Sequence, residues 1–209
     1  MAYPDDYTPI RQFYGYVRLP HSSYDEWRSV TLGYGFDADG YYGNQCWDYV
    51  AELYYQYGLT LVTKVGGGSA KDCWLISKNA NAKYPFIAVE GVTNIKRGDV
   101  IVTNANAYST TGHICIADED YNPDVNNKIW CLGQNQGHGP KAPVTRDKVS
   151  LNYFLGIFRN TEWQNVPPTP PTPPSPTPTE TVYNRDRFKW ELFKKKGKRK
   201  WIKNLSKRK

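Results

Sequence analysis

Apolar positions change their period once along this chain. From Trp47 to Tyr57, the residues Val50, Leu53, Tyr54 and Tyr57 recur at i, i+3, i+4 and i+7, the stripe of an amphipathic helix. Gly58 follows, placed to end that helix in a left-handed cap. A glycine-rich turn, Gly66 to Ser69, precedes a second expected helix over Ala70 to Ala80, with Cys73 and Ile76 three apart. From Tyr84 onward the apolar residues come in short runs instead. Gly98–Val102, His113–Ala117, Lys128–Leu132 and Leu155–Arg159 predict four strands, with Asn122–Asn127 as a hairpin connection between the second and third. Residues 1–30 mix turn formers with Arg, Tyr and Trp, and predict an irregular lead-in with one short helix near Tyr24–Ser29. Helices first and an antiparallel sheet afterwards predict an α+β domain.

The pattern stops in a run of proline and threonine. Residues 164–182 are expected to be an extended, semi-rigid linker, because proline-rich sequence favours the polyproline conformation. The chain is therefore divided into a domain over 1–163, with its core at about 33–159, the linker, and a tail over 183–209. Charge sharpens this division. The net charge of +7 hides a tail with 13 Lys and Arg against Asp186 and Glu191, and a body with 14 basic and 18 acidic residues. A mildly acidic body with a strongly basic tail points to an anionic surface or polymer as the tail's partner. The N-terminal Met-Ala-Tyr-Pro-Asp-Asp has no apolar core of a signal peptide. No stretch approaches the ~20 apolar residues of a membrane-spanning helix.

One acidic stretch concentrates the candidate chemistry. In Asp37-Ala-Asp-Gly-Tyr-Tyr-Gly-Asn-Gln-Cys-Trp-Asp48, the residues Asp37, Asp39, Tyr41, Gly43 and Asp48 stand at relative positions 1, 3, 5, 7 and 12. That is the ligand spacing of a calcium loop, with carboxylates at 37, 39 and 48 and backbone carbonyls at 41 and 43. The glycine usual at position 6 is absent and the closing acid is Asp, so a modest affinity is expected. Cys46 lies two residues before the last acid and at the start of the first expected helix. There the helix dipole and free N–H groups favour a negatively charged sulfur. Cys73, Cys115 and Cys131 have no CxxC spacing and read as small buried hydrophobes. A cysteine nucleophile needs a base. Of the three histidines, His21 lies in the lead-in and His138 in a turn, whereas His113 opens a strand and is the preferred candidate.

Three segments together resemble the motifs of CHAP domains, the cysteine, histidine-dependent amidohydrolase/peptidase modules of bacteriophage endolysins. They are Asp39-Gly-Tyr-Tyr-Gly-Asn-Gln-Cys-Trp-Asp48, Gly112-His-Ile-Cys-Ile-Ala117 and Leu132-Gly-Gln-Asn-Gln136, and the resemblance covers about residues 33–159. It implies a papain-like fold, with N-terminal helices packed on an antiparallel sheet. It also implies Cys46 as nucleophile, His113 as general base and acid, and Gln45 as an oxyanion-hole donor. Asn135 would orient the imidazole. Many members carry a glutamate two residues before this Asn. Here that position is Gly133, so Gln134 or Asn135 must serve. Calcium-dependent members carry a similar Asp-x-Asp-Gly-Tyr segment, which supports Ca2+ at Asp37, Asp39, Tyr41, Gly43 and Asp48.

The family implies a peptidoglycan hydrolase acting as amidase or endopeptidase, and a monomer. It would be held in the host cytoplasm until a holin releases it to the cell wall. A virion-associated wall hydrolase and a non-catalytic wall-binding module are the alternatives. In the tail, Phe188/Leu192 and Trp201/Leu205 stand four apart among Lys and Arg. This basic amphipathic pattern suits anionic wall polymers or a membrane surface better than nucleic acid.

Overall fold

The computed structural model describes residues 8–64, 68–106, 109–124 and 127–164. The expectations for the linker and the basic tail lie outside these residues. Among the described residues, no helix is long and apolar enough to cross a membrane.

A short strand β1 (Arg11–Tyr14) leads, after an extended stretch, to α1 (Tyr24–Thr31). Ser23 caps α1 by accepting from the Glu26 N–H, and Asp25 and Glu26 supply the acidic first turn. Strand β2 (Tyr34–Asp37) pairs in parallel with β1 and delivers the chain to the acidic loop. Helix α2 (Cys46–Gln56) follows, and Gly58 closes it at φ +68°. Two one-turn helices, α3 (Asp72–Leu75) and α4 (Lys78–Asn81), replace the single expected helix. The break at Ile76–Ser77 has a cause. The Ser77 hydroxyl turns away to the Thr63 carbonyl, while Asn81 Nδ2 donates to the Cys73 and Val62 carbonyls at 2.9 and 2.8 Å.

The sheet holds β3 (Phe86–Val89), β4 (Val100–Thr103), β5 (His113–Ala117), β6 (Lys128–Gly133), β7 (Thr145–Ser150) and β8 (Phe154–Asn160). Their order is β3-β8-β4-β5-β6-β7, antiparallel throughout. A last turn, α5 (Thr161–Gln164), packs Trp163 onto Tyr24. The domain is α+β, as the order of elements predicts.

The sheet is buried on both faces, which is why β4 and β5 read as continuous apolar runs rather than alternating ones. Val100, Val102, Ile114, Ile116 and Phe158 face α2 and join Trp27, Tyr49, Leu53 and Tyr54. Ile101, Cys115, Cys131 and Ile157 face the other way, under Ile95 and Leu151. Gly156 in β8 is required by close approach: a Cβ there would lie 2.1 Å from the Trp74 ring. Strands β1, β2, β3 and β7 are elements the periodicity does not announce, and all four lie at sheet edges.

Candidate active site

Cys46 is the first residue of α2, the helix that packs on β5, and His113 is the first residue of β5. Their side chains meet in a cleft of about 520 Å³ lined by Gln45, Cys46, His113, Asn135, Gln136 and Asp147, among others. Cys46 is half-buried, while Cys73, Cys115 and Cys131 are buried as expected. Cys46 and His113 face the same cleft, close enough for the charge at one to be felt at the other. Burial pulls the imidazole toward its neutral form. The negative charge available at Cys46 and side-chain interactions with Cys115 and Cys46 outweigh it and hold His113 well above the usual histidine range. His21 and His138 lie elsewhere: His21 packs on Tyr57, and His138 Nε2 bonds Asp147 Oδ2 at 3.1 Å.

The residue before the cysteine is held by four hydrogen bonds. The Gln45 N–H donates to Asp48 Oδ2 at 2.8 Å, and its carbonyl accepts from Gln134 Nε2 at 3.0 Å. Its side-chain Nε2 donates to the Tyr42 carbonyl at 2.7 Å, and its Oε1 accepts from Asn135 Nδ2 at 3.0 Å. Tyr42 and Asn135 are both non-glycine residues with positive φ, +65° and +53°. Backbone of this kind costs free energy and persists where surrounding structure holds it. Here the two strained residues flank one side chain, Gln45.

Two expectations about the third member change. Asn135 is bonded to Gln45, and His113 Nε2 instead pairs with Gln136 Oε1 at 3.1 Å. Gln134 is buried and acts as a splice: its Oε1 accepts from the Phe36 N–H at 2.7 Å, and its Nε2 donates to the Phe36 carbonyl at 2.9 Å. It thereby ties the end of β6 to β2 and to Gln45. Both Gln134 and Gln136 lie inside the Leu132–Gln136 motif, but nothing local distinguishes three consecutive polar side chains.

The acidic loop folds so that oxygen atoms of Asp37, Asp39 and Asp48 all lie within 4.8 Å of one another. Asp48, in the first turn of α2, accepts from the N–H groups of Ala38 and Gln45 at 3.0 and 2.8 Å. Burial, opposed by these hydrogen bonds, pushes its carboxyl up to about 7. Asp37 Oδ1 is buried without a protein partner. A buried, unpaired carboxylate oxygen facing two more carboxylates is costly for the protein alone and is the donor set of a hard cation. The residues therefore fit calcium. Tyr41 and Gly43 belong to the same loop. Gly43 has φ +72°, and a Cβ there would lie 2.7 Å from the Pro140 carbonyl oxygen. Asn44 anchors the loop by donating to Ala142 O and accepting from Gln12 Nε2.

Fold and site together define an α+β domain with a cysteine and a histidine paired in one cleft beside a cluster of carboxylates. Residues 36–135, a little under half of the chain, match the CHAP domain model. It is similar, 32% identical over 120 residues, to a D-alanyl-L-alanine endopeptidase of Streptococcus phage B30. That match covers 56% of this chain and 25% of the relative, so the chain spans about a quarter of the relative's length. Among solved structures it resembles the wild-type endolysin LysIME-EF1, with a TM-score of 0.51 and 24% identity, covering 66% of this chain and 64% of that one. This second likeness concerns the fold.

Proposed function

We propose that the chain is a peptidoglycan hydrolase of the phage-lysin type that cleaves an amide bond by Cys46 and His113. The observation that carries this is the juxtaposition itself: a half-buried cysteine at a helix start and an imidazole at a strand start lining one open cleft. His113 takes the thiol proton, and the sulfur attacks the scissile carbonyl carbon. The resulting oxyanion is stabilised by the Cys46 backbone N–H, at the unpaired start of α2, and by a Gln45 amide N–H. Only one of the two Gln45 amide hydrogens is committed to Tyr42. The imidazolium then protonates the departing amine, leaving a thioester. Water, deprotonated by the same imidazole, releases the acid and restores the thiol.

A peptide bond is the preferred target, because the relative matched over these residues is an endopeptidase. The muramoyl–alanine amide is the alternative. Mass spectrometry of digested walls separates them, since cleavage within a stem or cross-bridge peptide and release of whole stem peptides leave different fragments. Cys46→Ala is expected to abolish clearing of purified walls while leaving the fold intact. A variant that still clears walls overturns the cysteine mechanism.

Calcium would be held by Asp37, Asp39 and Asp48, with carbonyls from Tyr41 and Gly43, and would supply positive charge that neutralises the cluster. Asp48 also caps α2, so order in this loop is order at the Cys46 end of the helix. EDTA should lower the melting temperature and calcium restore it. Equal melting with and without EDTA would refute the site. The sequence of the tail suits anionic wall polymers, and deletion from Tyr183 onward is expected to weaken binding to Gram-positive cells.

A further inference from the structure

We infer that Gln136 is the positioning residue for His113: a neutral amide that fixes the ring's orientation and tautomer in place of a carboxylate. The inference rests on the reading of Cys46 and His113 as nucleophile and base, and deepens it. Gln136 Nε2 donates to the Thr145 carbonyl at 3.3 Å, and Gln136 Oε1 lies 3.1 Å from His113 Nε2. A carbonyl oxygen can only accept, so the Thr145 contact fixes which end of the amide faces which way. The end facing His113 is then the oxygen, which is also only an acceptor. His113 Nε2 must carry a hydrogen, and Nδ1 is left as the ring's basic nitrogen. One backbone carbonyl in β7 thus sets the protonation pattern of the base through a single side chain.

The surrounding structure is cut to fit this side chain. A Cβ added at Gly133 would lie 2.6 Å from Gln136 Oε1, 2.8 Å from Gln136 Cδ and 3.2 Å from Cys115 Cβ. Gly133 is the last residue of β6, paired with Thr145. The space that any larger residue at 133 would need is filled by the Gln136 amide. Asn135 at φ +53° turns the chain between them, sending its own side chain to Gln45 and the next one to His113. A neutral partner differs from a charged one in a testable way. It orients the ring and accepts its hydrogen, but adds no charge to stabilise an imidazolium.

The test uses the full chain, with ¹⁵N-labelled histidine and His113→Ala to assign the signals. The native protein should show an Nε2-bound proton of His113 protected from exchange with water. Gln136→Ala should lose that protection and lose kcat on the order of 10²-fold, the lower range for positioned acid–base groups, with KM changed far less. Gln136→Met keeps length and volume without an acceptor, and should behave the same if the alanine variant does not fold. Gln136→Glu retains an acceptor and should keep both the protected proton and most of the activity. Gly133→Glu combined with Gln136→Ala moves an acceptor into the vacated space and should recover activity over Gln136→Ala alone. A protected proton and unchanged kcat in both Gln136→Ala and Gln136→Met overturn the inference. If instead the native protein releases no termini from peptidoglycan while the proton signal behaves as stated, the hydrolase reading fails and the placement of Gln136 stands.

Discussion

Glu52 sits in the middle of α2 with no exposed surface, and replacing it by glutamine should make the protein more stable at alkaline pH. Its carboxyl accepts from the Val17 N–H at 3.2 and 3.4 Å and from Gln56 Nε2, which ties the segment after β1 to the helix that carries Cys46. Burial pushes this carboxyl up to about 7, against the opposing pull of the Val17 and Gln56 hydrogen bonds and of Arg18. The sign follows from linkage. In the unfolded chain Glu52 loses its proton near pH 4.5, and in the folded protein only near pH 7. Between these values the folded state binds more protons, so stability falls as pH rises through the window, and the full penalty stands above it. The difference corresponds to roughly 3 kcal/mol. The glutamine amide cannot ionise, and its carbonyl oxygen still accepts a hydrogen bond. Glu52→Gln should therefore match the native protein at about pH 4.5 and exceed it by ~3 kcal/mol at about pH 9, or about 6–12 °C in melting temperature for a domain of this size. Urea unfolding at acid, neutral and alkaline pH, with EDTA present throughout, measures it. Asp48 titrates in the same window but is common to both proteins and cancels in the difference. Parallel pH profiles for the two proteins would refute the argument.

Other outcomes follow from single contacts. Gly156→Ala places a methyl within 2.1–2.4 Å of three atoms of the Trp74 ring, and overpacking of this kind should cost about 1–3 kcal/mol, read by chemical unfolding. Native-state alkylation followed by peptide mapping should modify Cys46 alone, because the other three thiols are buried; early labelling of Cys115 or Cys131 would contradict the packing. Asp118 accepts from Tyr24, Arg28 and Arg146, so Asp118→Leu should lower stability by about 2 kcal/mol. That figure lies below the usual cost of breaking a buried pair because both arginines keep about a third of their side-chain surface in water. A variant melting like the native protein would show that the cluster is already solvated.

Much of this domain is written in local sequence. The i, i+3, i+4, i+7 stripe marks α2, and Gly58 marks its end, because both depend on residues within a few positions of each other. The apolar runs of β4, β5, β6 and β8 announce strands buried on both faces. Cys46 at a helix start and His113 at a strand start follow from those elements. Strands β1 and β7 are different. Arg-Gln-Phe-Tyr and Thr-Arg-Asp-Lys-Val-Ser carry no apolar alternation, and they are strands because β2 and β6 offer hydrogen-bonding edges. The helix expected over 70–80 divides because Thr63 and Val62 accept bonds from Ser77 and Asn81, partners no short window contains.

Residue type and short-range periodicity are enough for the α+β class, for the cysteine and histidine as candidates, and for three carboxylates at a cation's spacing. Which side chains meet is a property of the folded chain: Gln134 is spliced to β2, Asn135 to Gln45, and Gln136 to His113. Three adjacent polar residues are equivalent as letters. A left-handed Asn135 sends their side chains in three directions, and that turn is held by contacts from β2, α2 and β7, segments far apart in sequence that meet only when the sheet and helix have packed.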